Sequence, residues 1–212
     1  MGDKDKMGCS KVVLFAGRWG IMVKIDVLAI GSLERDEEGN IVSAHSSSAL
    51  IRSGERMIVV DTSTEYLRPA IKTSFKQIGV FPKDVDTVVL THSHNDHIGN
   101  IDMFPNAKIM MHSAEENTIP NAETFDSNMQ LTKEVRLVHT PGHTKGSVSV
   151  FVDAEMKYAI TGDAIPLKSN YEKMLPPRIN YDADIALESI KFISRYADLI
   201  VPGHDSPFAT KR

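Results

Sequence analysis

The chain lacks the marks of several protein classes. Its 212 residues include a single cysteine, Cys9. An internal disulfide framework and a thiolate metal cluster are therefore excluded, and a reducing, cytoplasmic setting is the simplest expectation. Basic residues are not in excess: 24 lysines and arginines stand against 28 aspartates and glutamates, a formal net charge of −4. That balance predicts no general affinity for nucleic acid, although a local patch would suffice for a nuclease. No apolar run is long enough to span a membrane. The best approach to one, residues 11–23, is interrupted by Arg18 and followed by no small-residue cleavage site, so neither a membrane anchor nor a signal peptide is expected. Cys9 has no apolar run before it, which argues against a lipoprotein. Low-complexity tracts and tandem repeats are also missing.

What is present describes an ordinary globular protein, with 42% hydrophobic and 25% charged residues. The length suggests one domain, placed at residues 22–212. Met22 stands just before the first convincing strand, so residues 1–21 are expected to be an N-terminal extension outside the core, with an ordinary first strand as the alternative.

Hydrophobic periodicity then orders the chain. Residues 23–30 alternate as a strand, and the polar stretch 33–44 reads as a loop. Residues 46–52 and 55–61 form a hairpin around Ser53-Gly54, with Asp61 at its end. A helix is expected over 65–78, capped by Thr62 or Ser63 and stopped by Gly79, with Leu67, Ile71, Phe75 and Ile78 on its buried side. Strands are expected at 86–90, 107–111, 134–139, 147–152, 157–161 and 199–201. Residues 98–103 read as a helical turn, and Ser113 is a candidate cap for another short helix. Residues 117–133 and 166–181 read as irregular. A second amphipathic helix reaches Tyr196, with Ile185, Leu187, Ile190, Ile193 and Tyr196 as candidates for its buried face. Strands outnumber helices, and the helices fall between groups of strands. The expected fold is α/β: a four-layer αββα sandwich of two mixed sheets flanked by helices.

The chemistry gathers where strands end. Residues 91–99 read Thr-His-Ser-His-Asn-Asp-His-Ile-Gly and place His92, His94, Asp96 and His97 beside the apolar strand 86–90. Imidazole and carboxylate are the normal ligands of zinc and related divalent ions. His143, Asp163 and His204 follow at three further strand ends. Alone, each is weak. Together they supply five imidazoles and two carboxylates, enough for two ions sharing a carboxylate. His45, His112 and His139 read as packing or supporting residues. Tyr171, Arg178 and Tyr181 read first as exposed loop residues, with an active-site wall as the alternative.

The motifs Thr-His92-Ser-His94-Asn-Asp96-His97, Thr-Pro-Gly-His143-Thr, Thr-Gly-Asp163 and Val-Pro-Gly-His204, with Asp61 at an earlier strand end, resemble the metallo-β-lactamase-fold superfamily of dinuclear metallohydrolases. The ligand set is similar to that of glyoxalase II. The resemblance implies that His92, His94 and His143 hold one metal, that Asp96, His97 and His204 hold a second, and that Asp163 bridges them. Asp61 would orient a ligand by hydrogen bonding, a role weighed evenly against a helix N-terminal carboxylate. Asp96 would also be catalytic, orienting the nucleophile and taking part in proton transfer. Two divalent ions per chain are implied, zinc first, with iron or manganese as alternatives.

The expected activity is hydrolysis of an ester, thioester or phosphodiester bond by a dinuclear-metal-bound hydroxide, with the substrate unassigned. True β-lactamases generally lack the aspartate that Asp163 supplies. Short runs, including residues 91–105 and 201–208, resemble a branch of the family associated with RNA 3′-end endonuclease activity, so an RNA phosphodiesterase is the first alternative. A mononuclear iron persulfide dioxygenase is the second. The expected partners are a small-molecule or RNA substrate and, for the chain itself, a possible homodimer. No membrane partner is expected.

Overall fold

The computed structural model describes residues 13–16, 23–116 and 119–211. In chain order its strands are β1 (Val13–Ala16), β2 (Val23–Ala29), β3 (Ser32–Arg35), β4 (Ile41–His45), β5 (Ser48–Ser53), β6 (Arg56–Val60), β7 (Thr87–Val89), β8 (Lys108–His112), β9 (Glu123–Phe125), β10 (Met129–Gln130), β11 (Val135–His139), β12 (Val148–Asp153), β13 (Lys157–Gly162), β14 (Leu199–Pro202) and β15 (Phe208–Ala209). The α-helices are α1 (Arg68–Ile78), α2 (Asn95–Ile98), α3 (Lys168–Lys173) and α4 (Ala183–Tyr196).

One sheet runs β1-β2-β5-β6-β7-β8-β9 and the other β10-β11-β12-β13-β14-β15, while β3 and β4 form a separate hairpin. Both sheets are mixed. Pairing is parallel from β6 through β9 and between β13 and β14, and antiparallel elsewhere. Successive side chains on a strand point to opposite faces. Ile58 and Val60 therefore enter the layer between the sheets, where Val148, Val150 and Val201 meet them. Val59, between them, faces outward onto Ile71 and Phe75 of α1. On the other sheet Phe151, Ala159 and Ile200 face outward onto Ile190 and Ile193 of α4. This is the expected four-layer αββα sandwich. Each fully buried side chain of this size is worth about 1.5–3 kcal/mol of burial, so three such layers hold the strand ends firmly.

Several local expectations are corrected. Residues 33–44 are not a loop; they belong to the β3–β4 hairpin. Its strands are largely exposed, so they lack the apolar alternation that betrays a strand. Residues 117–133 contain β9 and β10, and 166–181 contain α3, all too short for periodicity to register. Ser113 opens no helix among the described residues; it stands in a turn. Helix α1 begins only at Arg68, after a 3₁₀ turn at Glu65–Leu67. The hydroxyls of Thr62 and Ser63 cap nothing: they donate to the carbonyls of His97 and Ser46. The C-terminal stop at Gly79 stands, with φ 72°. In α4 the buried residues are Ala186, Ser189, Ile190 and Ile193, and Ile185 is exposed. Small residues on the buried face let α4 pack closely, which shifts that face by one position. Asp182 caps it, accepting from the amides of Asp184 and Ile185.

Of the expected extension 1–21, residues 1–12 and 17–21 lie outside the described residues. Its described part is β1, which pairs antiparallel with β2.

Candidate metal centre

The loops that leave β6, β7, β11, β13 and β14 converge at one edge of the sandwich. The residues 91–99 motif leaves β7 and turns into α2. That turn carries His92 in the bend after β7, His94 on extended backbone, and Asp96 and His97 on the helical turn. His143 follows β11, Asp163 follows β13 and His204 follows β14. All seven expected ligands meet there.

They form two clusters. In the first, His92 Nε2 lies 3.0 Å from His94 Nδ1 and 3.2 Å from His143 Nε2, and the last two are 3.0 Å apart. Three ring nitrogens in a triangle of this size suit one cation. Ligands ~2.0–2.1 Å from a tetrahedral zinc would lie roughly 3.3 Å from one another. In the second, His204 Nε2 lies 3.4 Å from Asp96 Oδ2, and His97 Nε2 lies 3.9 Å from the same oxygen. Asp163 stands between the clusters. Its Oδ1 is 3.5 Å from His97 Nε2 and 3.1 Å from His204 Nε2, and its Oδ2 is 3.6 Å from His143 Nε2.

The donor set fits metal on a further ground. His97 Nε2 and Asp163 Oδ1 are buried and have no hydrogen-bond partner. Buried polar atoms are rarely left so, because the desolvation is uncompensated. A shared cation would satisfy both. The other nitrogen of most ligand imidazoles is already occupied. His97 Nδ1 is 2.8 Å from Asp61 Oδ2, His143 Nδ1 is 2.8 Å from the carbonyl of Ile179, and His204 Nδ1 is 2.9 Å from the carbonyl of His45. Donation at Nδ1 leaves Nε2 with its lone pair facing the centre, the usual arrangement for a ligating histidine.

Asp61 is where its two readings separate. It is buried at the end of β6 with φ 54°. Its Oδ1 accepts from the Thr91 amide at 2.8 Å, and its Oδ2 accepts from Thr91 Oγ1 at 2.7 Å as well as from His97. It caps no helix in this structure; it holds the start of the histidine motif and the His97 ring. A left-handed backbone is costly for most residues but open to aspartate, and such strain gathers at functional sites.

Electrostatics divide the centre. Burial, then the neighbouring imidazoles, hold His92 well below the ordinary histidine value, and burial with His143 lowers His94. Burial also opposes charge on His97, yet Asp61 and Asp163 outweigh it and hold its pKa well above the ordinary value. His204 is raised against its own burial by Asp163. Asp163, despite burial, is held well below the ordinary carboxylate range by His204 and His97.

One supporting residue escaped sequence reading. Glu115 is buried beneath the site. Its Oε2 accepts from both the amide and the hydroxyl of Ser93, each at 2.8 Å. Its Oε1 accepts from Thr144 Oγ1. Ser93 lies between two expected ligands and Thr144 follows a third, so one carboxylate ties their loops together. Nothing in its sequence neighbourhood signals that role. Gly203 is needed for a simpler reason: a Cβ there would stand 2.1 Å from Asp163 Oδ1.

The remaining candidates fall outside the clusters. His45 stacks on Tyr66 at 4.6 Å, and His112 stacks on His139 at 4.2 Å. Tyr171 is not exposed: it is buried against Phe208. Arg178 and Tyr181 do form walls, of two cavities that meet at His94, His143 and Ile179.

Fold and site together define a metal-binding hydrolase of the αββα class. The metallo-β-lactamase superfamily profile matches residues 44–134. A protein of Methanocaldococcus jannaschii named as a metallo-hydrolase is 40% identical over 185 residues, 87% of each chain. Metallo-β-lactamase domain-containing protein 1 of Xenopus laevis is 29% identical over 181 residues, 82% of this chain and 76% of that one. A solved structure of an AiiA variant from B. thuringiensis, with N-decanoyl-L-homoserine bound at its active site, superposes with a TM-score of 0.70 at 22% identity, covering 85% of this chain and 92% of the other. The chain belongs to the metallo-β-lactamase superfamily, and it is a metallohydrolase of that family.

Proposed function

We propose that the protein is a dinuclear metallohydrolase that cleaves an ester-type bond, whether ester, lactone, thioester or phosphodiester. The observation that carries this is the three overlapping groups of ligand atoms, His92 with His94 and His143, His92 with His97 and Asp163, and Asp96 with His97 and His204, in which Asp163 Oδ1 and His97 Nε2 are buried without a hydrogen-bond partner. His92, His94 and His143 would hold one ion and Asp96, His97 and His204 the other, with Asp163 placed to serve both and zinc the first candidate. Such a pair supplies a nucleophilic water near neutral pH and stabilises the charge that develops on the attacked group.

The chain's own residues do the rest. Asp61 fixes the tautomer and direction of His97. Asp96 is the one carboxylate of the centre that is appreciably open, its side chain 22% exposed and lining the cavity. It holds the proton given up by the attacking water and returns it to the leaving oxygen or sulfur as the scissile bond breaks. The acyl arm of the reading draws support from the bound N-decanoyl-L-homoserine in the superposed structure. The phosphodiester arm draws on the motif resemblance in residues 91–105.

The test is metal analysis joined to hydrolysis of a lactone, a thioester and a chromogenic phosphodiester. Two zinc-like ions per chain and turnover of at least one substrate are expected. Asp163→Ala should lower kcat by roughly 10³-fold or more, since it removes a ligand common to both ions. One iron per chain with persulfide oxidation, or full turnover by Asp163→Ala, would overturn the proposal.

A further inference from the structure

Beside the centre lies a cavity of about 120 Å³, roofed by the β3–β4 hairpin and the segment after α3. Asp96, Asp163 and His204 line its floor, Leu33 and Ile41 one wall, and Arg35 and Arg178 stand at its rim. The two arginines share an unusual situation. Arg35 Nη1 donates to the carbonyl of Gly39 at 2.9 Å, and Arg178 Nη1 donates to that same carbonyl at 2.6 Å. Each guanidinium carries five donors, so one shared carbonyl leaves most of them unused.

Four other arginines among the described residues have acidic partners. Arg52, Arg56, Arg68 and Arg136 each stand beside an aspartate. Among the described residues no carboxylate lies in ion-pair range of Arg35 or Arg178. Of the four acids of the hairpin, Asp36 and Glu38 are bonded to Asn40. Gly39 makes the arrangement possible, because a Cβ there would stand 2.2 Å from Arg178 Nη1.

A latch between hairpin and segment would explain one arginine. It does not explain two like charges on one carbonyl, which repel unless something anionic joins them.

We propose that Arg35 and Arg178 form the recognition site for an oxyanion of the substrate, a carboxylate or a phosphate borne close to the scissile bond. The proposal rests on the hydrolase reading above and narrows it to anionic substrates. Guanidinium forks match such groups in a two-pronged manner. Leu33 and Ile41 would cover the hydrocarbon between the oxyanion and the bond that breaks.

The test is calorimetric titration of the zinc-loaded protein with glutarate and, separately, with inorganic phosphate, metal content being measured on each sample. Arg35→Gln and Arg178→Gln should each weaken binding about tenfold or more, as loss of a charged hydrogen bond does, whereas Lys145→Gln on the neighbouring cavity should change it less than about twofold. Gly39→Ala should weaken it without removing a charge, by displacing Arg178. A larger loss with glutarate identifies a carboxylate substrate, and a larger loss with phosphate a phosphoester. No binding by the unaltered protein, or equal binding by both arginine variants, overturns the proposal. A zinc content below two per chain counts against the dinuclear reading alone, because the arginine comparison is made at whatever metal content the samples share.

Discussion

The two halves of the proposed metal centre are built from different materials. The His92, His94 and His143 half is all imidazole, and two of its rings are pushed toward neutrality by burial and by neighbouring imidazoles, His97 of the other half among them. The half made by Asp96, His97 and His204 mixes imidazole with carboxylate, and both of its rings are pulled toward the charged form. The supports differ in kind as well. Loops around the first half are tied by Glu115 through Ser93 and Thr144. In the second half, Asp61 acts on the His97 ring itself. The first half therefore depends on loop placement, and the second on charge.

The largest test of that contrast is Asp61→Asn. Asparagine tolerates the left-handed backbone at this position, so the turn is kept, while the charge and one of the two acceptor oxygens that hold Thr91 and His97 are lost. Without the carboxylate, His97 loses the partner that holds its proton on Nδ1. Metal affinity of the second half should fall about 10–100-fold, the usual cost of losing a partner that orients a ligand. One ion per chain should remain in a competition assay against a chelator. Equal weakening of both ions would mean that the halves are not separable.

A smaller effect is expected from Glu115→Gln, which keeps shape and one acceptor oxygen but drops the charge and the other acceptor behind Ser93 and Thr144. The other half of the centre should now be the weaker one. A fall in affinity of about tenfold, the low end for a ligand's support, should appear as an altered d–d spectrum when cobalt replaces zinc. Glu115→Asp, which retains the charge, should recover part of it. An unchanged spectrum with merely lower thermal stability would reduce Glu115 to a packing role.

The sequence was most legible where physics acts locally. Apolar runs in residues 46–61 and 147–161 come from strands buried in a sandwich, and the histidine motif packs four ligand-type residues into six positions just after another such run, 86–90. The β3–β4 hairpin was not legible, because exposed strands need no apolar face, and Arg35 gains its place only from that hairpin. Glu115 was invisible for another reason. Its partners Ser93 and Thr144 are 22 and 29 residues away, and a supporting contact across loops leaves no periodic trace. Asp61 lay between these cases: a carboxylate at a strand end was plain, but only the folded chain decides between helix cap and ligand support.

The subtlest test of the contrast uses pH on metal-stripped protein. His97 and His204 have folded pKa values above their ordinary value of 6.5. Their contribution to stability is complete below 6.5 and is lost as pH rises through the raised values. His92 and His94 are shifted the other way, so their neutral burial weakens the fold as pH falls below 6.5 and adds nothing further above it. From about pH 6.5 to about pH 8.5 the stripped protein should therefore lose thermal stability. Zinc-loaded protein should show no such fall, because metal competes with protons for the same imidazoles and is held more tightly as they are removed. Melting curves at the two pH values, with chelator and with zinc, give slopes of different sign if the carboxylate-flanked half carries protons in place of a cation. A stripped protein that grows more stable across the interval would show that His97 is neutral there, and the electrostatic division of the centre would fall with it.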